Sequence, residues 1–256
     1  MTERNLRLHG KKLLDSHVRG SLSRPYSAQN INPGVVQLIR NITAKQPLLN
    51  CIEFGCGSGS LGKYLIDNSL VSSYIGCEIS AEAILQSKIS QLIYNQTCDE
   101  FILSYPRALF QEADIFIYAD VLEHLDDPWS HLKHIAKVAK KNSWVVVSIP
   151  SFFHHSNLEA LGRFSFEYEE WGVMDLTHLR HFGLSDMVDM LEVTGFNCQH
   201  EYGVIPSFDP HGINIYQAHI NSLPVTLTFN QLSYCITSPL ELMQLCAYQF
   251  VLCGLK

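Results

Sequence analysis

The chain has 256 residues, with 18 basic against 25 acidic, a formal net charge of −7, 46% apolar and 17% charged residues. That length can bury a full core as one large domain, or as one domain carrying insertions. The acidic balance argues against a broad interface with nucleic-acid phosphates or anionic lipid, each of which needs a basic face.

Residues 1–46 read as an N-terminal helical extension. The first 20 residues mix Arg, Lys, His and Leu without an apolar run, so neither a signal peptide nor a membrane anchor is expected, and the chain reads as cytoplasmic. Residues 6–18 fit a short basic helix. Pro33 stands where another helix starts, and Val35, Val36, Leu38, Ile39 and Ile42 follow at helical spacing. Residues 48–54 form a short apolar strand, broken by Gly55, Gly57 and Gly59. Leu61, Tyr64 and Leu65 predict a helix ending near Asn68. Residues 72–77 read as the next strand, stopping at Glu78. Ser80 is an N-cap for the helix that follows, with Ala81, Ile84 and Leu85 on one face. Residues 114–119 are a third clear strand.

Asp127 followed by Pro128 starts a helix with an apolar stripe of Trp129, Leu132, Ile135, Ala136 and Ala139. His131 and His134 share its other side with Lys133 and Lys137, a solvated face. Residues 144–149 are a fully apolar strand ended by Pro150. Segment 151–182 breaks the rhythm with aromatics, histidines and acids and reads as an inserted substrate lid; His154 and His155 open it on an exposed loop. Residues 185–194 resume as a helix that Gly195 terminates. Residues 203–245 show no clear period and are expected to be irregular, before a final apolar strand over 247–253. The alternation predicts a single α/β domain over 1–256, a mostly parallel sheet covered by helices on both faces. The eight cysteines at 51, 56, 77, 98, 198, 235, 246 and 253 contain no Cys-x-x-Cys pair, so they read as reduced small hydrophobes rather than metal or redox ligands.

Gly57-Ser58-Gly59-Ser60-Leu61-Gly62 fits Gly-x-Gly-x-x-Gly between a strand and a helix, which admits a dinucleotide. Glu53 decides otherwise. A pyrophosphate at this turn needs bare amides, and a neighbouring carboxylate repels it. A ligand carrying an ammonium and a sulfonium gains from the same carboxylate. Glu78, ending the next strand, suits ribose hydroxyls in either case.

Glu-x-Gly-x-Gly-x-Gly from Glu53, the acidic end of the second strand, and the run Ala119-Asp120-Val121-Leu122-Glu123-His124-Leu125-Asp126-Asp127-Pro128 resemble class I S-adenosylmethionine (SAM) dependent methyltransferases, nearest the branch of the ubiquinone-biosynthesis O-methyltransferases. Leu161-Gly162-Arg163-Phe164, then Trp171-Gly172-Val173-Met174-Asp175-Leu176-Thr177-His178-Leu179-Arg180-His181-Phe182, are similar to a signature of bacterial methyltransferases from glycan and natural-product pathways. The matches cover about 50–196 and the final strand. The resemblance implies a Rossmann-like doubly wound sheet with an antiparallel C-terminal strand. It implies SAM as cofactor, held by Glu53, Gly55, Gly57, Gly59, Glu78, Ala119 and Asp120. Relatives hold the adenine amino group with an Asp after the third strand; here Asn95 and Asp99 are both candidates.

The acceptor is expected to be a small molecule, a hydroxyl of a sugar or secondary metabolite, with aromatics of the lid stacking on it. His178 is the candidate base, its ordinary pKa suiting proton transfer near neutrality; Asp175 and His178 could equally pin the loop. Glu123 and His124 are expected to orient the acceptor or cap the turn, and Asp175, His181, Trp171 and His154 to contact it. No metal is assigned. Glu123, His124, His178 and His181 are ligand types without firm spacing, although the Glu-His pair with a later His resembles the metal-dependent 2′-O-methyltransferases acting on 3′ ends of small RNAs, with Asp120 where those carry a second Glu. That RNA enzyme and a non-catalytic SAM-binding protein are the rival readings. Neither a nucleic-acid partner nor a membrane span is expected, and the oligomeric state is not legible.

Overall fold

The computed structural model describes residues 31–46, 49–166, 168–169 and 171–256; the basic helix expected over 6–18 lies outside the described residues. Asn32 caps the first described helix, α1 (Pro33–Thr43), its side chain accepting from the Gly34 amide at 2.9 Å, and Pro33 occupies a first-turn position where no donor is needed. The chain then runs β1 (Leu49–Phe54), α2 (Ser60–Asp67), β2 (Val71–Glu78), α3 (Ala81–Leu85), β3 (Ile93–Asn95), α4 (Cys98–Ser104), α5 (Arg107–Glu112), β4 (Ile115–Ala119), α6 (Pro128–Val138) and β5 (Trp144–Pro150). Beyond these come α7 (His155–Gly162), α8 (Leu184–Thr194), β6 (Asn197–Val204), α9 (Pro210–His219), β7 (Val225–Phe229), β8 (Leu232–Ile236), α10 (Pro239–Cys246) and β9 (Gln249–Leu255).

Seven strands form one sheet in the order β3-β2-β1-β4-β5-β9-β6. β1, β2, β3, β4 and β5 pair in parallel, and β9 alone runs antiparallel to both its neighbours, β5 and β6. Alternation along the strands divides the core in two. Phe54, Phe116, Tyr118, Val145 and Val147 pack on one face, under α4, α5, α6 and α8. Cys51, Ile115, Ile117 and Val146 pack on the other, under α1 and α2. Successive side chains point to opposite faces and both faces are covered, so these strands read as unbroken apolar runs. Strand order reverses between β1 and β4, and in open α/β sheets the crevice beyond the carboxyl ends at that switch point takes the ligand.

Three expectations are corrected. Residues 203–245 are not irregular: they hold α9, the β7–β8 hairpin and α10 around a third core of Leu158, Phe229, Ile236, Leu242, Leu245 and Cys246. β6 was not expected at all; it is a polar edge strand, and Gln199, His200 and Glu201 hide it from an apolar pattern. His131 is buried rather than solvated, between the Tyr118 hydroxyl at 2.9 Å and Asp99 Oδ1 at 2.7 Å. Among the described residues no helix is long and apolar enough to cross a membrane.

Candidate active site

At the carboxyl end of β1 the backbone turns through Gly55, Gly57 and Gly59, at φ +61°, +56° and +71°. Three left-handed residues in five favour glycine, because a Cβ there crowds the following carbonyl oxygen. At Gly55 an added Cβ would also lie 2.6 Å from Val121 Cγ2, so the loop is pressed against the segment following β4. Glu78, ending β2, steadies the turn. Its Oε2 accepts from the Gly57 amide at 2.8 Å and its Oε1 from the Ser80 amide at 2.7 Å. Each carboxylate oxygen keeps a second lone pair for a hydroxyl donor.

Glu53 is only 3% exposed, and Tyr74 donates its hydroxyl to Glu53 Oε2 at 2.6 Å. Burial pushes the Glu53 carboxyl up from 4.5 to about 8; the Tyr74 hydrogen bond opposes this and the charge of Glu78 adds to it.

The second half of the site lies after β4. Ala119 ends the strand and Asp120 follows at φ +56°, its amide donating to Ser148 O at 3.0 Å while Ser148 Oγ donates to Asp120 Oδ1 at 2.8 Å. The Asp120 residue is exposed, while desolvation of its carboxyl raises it to about 6 against the opposing Ser148 hydrogen bond. A single 3₁₀ turn, Leu122–His124, then buries Glu123 to 1% exposure. The Glu123 carbonyl accepts from the Leu179 and Arg180 amides at 2.8 and 3.1 Å, which docks the end of the lid segment onto this turn.

That docking brings His178 to Glu123. His178 Nδ1 donates to Val173 O at 3.0 Å, which fixes the tautomer and turns Nε2 toward Glu123 Oε1, 3.9 Å away. His124 Nδ1 lies 3.1 Å from both Thr177 O and Thr177 Oγ1, and Asp175 Oδ1 accepts from the Thr177 amide and hydroxyl at 2.8 and 2.7 Å. Glu123, His124 and His178 each offer a ligand atom within 4.8 Å of the others. Both Glu123 oxygens are buried without a hydrogen-bond partner. Burial, with help from Asp120 and Asp175, holds the Glu123 carboxyl well above its ordinary range; burial and the neighbouring His124 push His178 down to about 4. His181 stands beside this group, its ring 6.4 Å from that of His178 and within 5.6 Å of Phe152. Trp171, in segment 151–182, is 71% exposed.

A family model described as a methyltransferase domain matches residues 26–201, more than half of the chain. The chain belongs to the methyltransferase-domain family. No curated protein matches the sequence. Among solved structures, the methyltransferase is similar to a SAM-dependent methyltransferase from Archaeoglobus fulgidus, with TM-score 0.58 and 16% identity over 96% of this chain and 99% of that one. It is also similar to a SAM-dependent methyltransferase, possible histamine N-methyltransferase, from Thermotoga maritima, with TM-score 0.55 and 15% identity over 87% and 88%. The [4+2]-cyclase SpnF shares the fold too, with TM-score 0.52 and 13% identity over 96% and 92%. At these identities the likeness shows the Rossmann-like fold alone.

SAM is the cofactor of this methyltransferase, and the residues at the strand ends fit it: a neutralised buried carboxyl for the ammonium, and Glu78 acceptors for ribose hydroxyls. The adenine contact stays divided. Asn95 donates its amide to Glu78 O and Ile79 O at 3.0 and 2.9 Å, and Asp99 is engaged by His131. Gln96, which the sequence did not single out, has its Oε1 buried and unpartnered one residue beyond β3. Tyr74 was also missed, since its role depends on a neighbouring strand. His154 is a correction: it is buried, with Nδ1 on Ser156 Oγ at 2.8 Å and Nε2 on Asp209 Oδ2 at 3.0 Å, which leaves neither nitrogen for an acceptor.

Proposed function

We propose that the enzyme transfers the methyl group of SAM to a hydroxyl of a small molecule, a sugar or secondary metabolite, held between Asp120 and the lid segment 151–182. SAM supplies a methyl group already activated on a sulfonium, so alignment of the acceptor oxygen supplies much of the acceleration. The observation that carries the reading is the convergence of Glu123, His124 and His178 within 4.8 Å of one another beside Asp120. A lone imidazole near 4 is a weak base at neutral pH. The groups therefore act together: His178 Nε2 accepts the hydroxyl proton as the acceptor oxygen takes the methyl group and the carbon–sulfur bond breaks, and Glu123 Oε1, 3.9 Å from that nitrogen, steadies the imidazolium formed. Asp175 holds Thr177, and through it His124, in place; His181 with Phe152 offers the acceptor an aromatic wall.

Two observations favour neighbouring readings. Burial, followed by the charges of Asp120, Glu169, Asp175 and Asp209, pushes Tyr248 up to about 12, so the acceptor side is acidic and also suits an amine. The unpartnered oxygens of Glu123 suit a divalent ion held with His124 and His178. A labelled-methyl screen over glycosides, phenols, amines and small RNAs, with and without chelator, separates these. His178→Ala is expected to lower turnover of the hydroxyl acceptor by ~10²-fold or more while SAM binding holds; unchanged turnover removes His178 from the chemistry.

A further inference from the structure

A second group of metal-ligating side chains lies where the two inserted segments meet, away from the β4 turn. His155 and Glu159 are four apart on α7 and therefore share one face of that helix. His211 stands in the first turn of α9, just past its N-cap Asp209. His211 Nε2 lies 3.4 Å from Glu159 Oε1, and His155 Nδ1 lies 3.8 Å from the same oxygen. Donor atoms of all three fall within 4.8 Å of one another.

The orientation of His155 is the telling feature. Its Nε2 donates to Asp209, 3.2 Å from each carboxylate oxygen, so in the neutral ring Nδ1 carries the lone pair. That Nδ1 is buried and has no hydrogen-bond partner, in a residue only 6% exposed. Asp209 is itself fixed, its Oδ1 accepting from the Gly212 amide at 3.0 Å. A carboxylate gripping one imidazole nitrogen so that the other faces a ligand group is the usual outer support of a histidine bound to metal. His155 Nδ1 and Glu159 Oε1, 3.8 Å apart, need a cation between them, a proton or a metal ion, and the second imidazole of His211, 3.4 Å from the same oxygen, completes a donor set that a proton does not use. Ligands about 2.1 Å from a tetrahedral ion sit about 3.4 Å apart. The observed 3.4 and 3.8 Å need only small side-chain shifts.

We propose that His155 Nδ1, Glu159 and His211 Nε2 bind one divalent transition-metal ion of the zinc class, with Asp209 orienting His155, so that the ion clamps α7 to α9. Two imidazoles and one carboxylate suit zinc or cobalt and disfavour magnesium. The Glu159 and His211 side chains are 38% and 59% exposed, so an ion enters from solvent and keeps water at the remaining position. The clamp is structural and independent of the acceptor assigned to the enzyme.

The test uses the full chain, stripped with EDTA and dialysed, then titrated with Co²⁺ by visible absorption and with Zn²⁺ by calorimetry. Wild type is expected to take up an equivalent that His211→Ala and Glu159→Gln each lose, with affinity down at least about tenfold; Glu123→Gln is expected to retain it. Zn²⁺ is expected to raise the melting temperature of wild type and not that of His211→Ala. Both clamp variants alter partly exposed side chains, and their melting without metal checks that they fold. If wild type also carries an ion at Glu123, two equivalents fall to one in the clamp variants. No uptake by wild type at millimolar metal, or equal uptake by both clamp variants, overturns the proposal.

Discussion

Glu53 sits beside Glu78 at the strand ends, buried, and its carboxyl titrates near 8 rather than 4.5. Two consequences follow from that one displacement. In the free protein the carboxyl is neutral through most of the physiological range, and a bound ammonium draws it back to the anion, so cofactor binding near pH 7 releases a proton from this group. The stability effect has the opposite sense to that of a salt-bridged acid. With the folded pKa raised, Glu53's contribution to stability is fully present below pH 4.5 and is lost as pH rises through about 8. Glu53→Gln is therefore expected to melt higher than wild type above pH 8 without cofactor. It is expected to bind SAM some 10–100-fold more weakly, since a charge-assisted hydrogen bond contributes ~1.5–3 kcal/mol. Calorimetry in buffers of different ionisation enthalpy reads the proton; the same proton count in wild type and Glu53→Gln would show that Glu53 is not the group.

Among the elements, the hairpin shows how an insertion is attached to the core. Gly162 ends α7 against the tip of β7–β8, where an added Cβ would fall 2.0 Å from the Phe229 carbonyl oxygen. Asn230 donates to Glu159 O at 2.9 Å beside it. Gly162→Ala must push backbone apart, at a cost of ~1–3 kcal/mol for an overpacked contact. The strain falls on the third core around Phe229 and Leu242, so thermal stability is expected to drop while SAM affinity holds; a loss of SAM binding of similar size would mean that the two regions are coupled. This attachment was not legible in advance, although a signal existed. Val225-Thr226-Leu227-Thr228-Phe229 alternates strictly, as does Leu232 to Ile236 across Asn230-Gln231, and both strands are half-buried in that alternation. By contrast β4, β5 and β9 were readable because burial on both faces makes them nearly continuous apolar runs, and β1 and β2 because each ends on an acid beside the glycine turn. β3, at three residues, and the polar edge β6 carry no such pattern. The site divides the same way. Glu53, the glycines and Glu78 are grouped along the chain, whereas the partners of His131 and His154 lie 32 and 55 positions away, so their burial could only come from the fold.

At the scale of the whole molecule, charge and sheet end together are expected, on the proposed reading, to select the ligand. The chain carries a net −7, and two carboxyls, Glu53 and Glu78, are buried at the ends of β1 and β2 beside the glycine turn. On that reading a dinucleotide or an RNA brings phosphates to a carboxyl that is neutral near pH 7 and gains nothing by ionising beside them, so Glu53 offers such a ligand no attraction. SAM brings positive charge to the same place. A ligand that binds only the folded state adds ~2.7 kcal/mol at one hundred times its dissociation constant. For a chain of this size each kcal/mol moves the midpoint by ~2–4 °C, so SAM or S-adenosylhomocysteine is expected to raise the melting temperature by roughly 5–10 °C. NADH and a short RNA at the same concentration are expected to leave it unchanged. The comparison is made at low ionic strength, where repulsion is unscreened and any phosphate binding that survives cannot be blamed on salt. A shift with NADH equal to that with SAM would mean that Glu53 does not discriminate between the two ligands, and the charge argument for this site would fall.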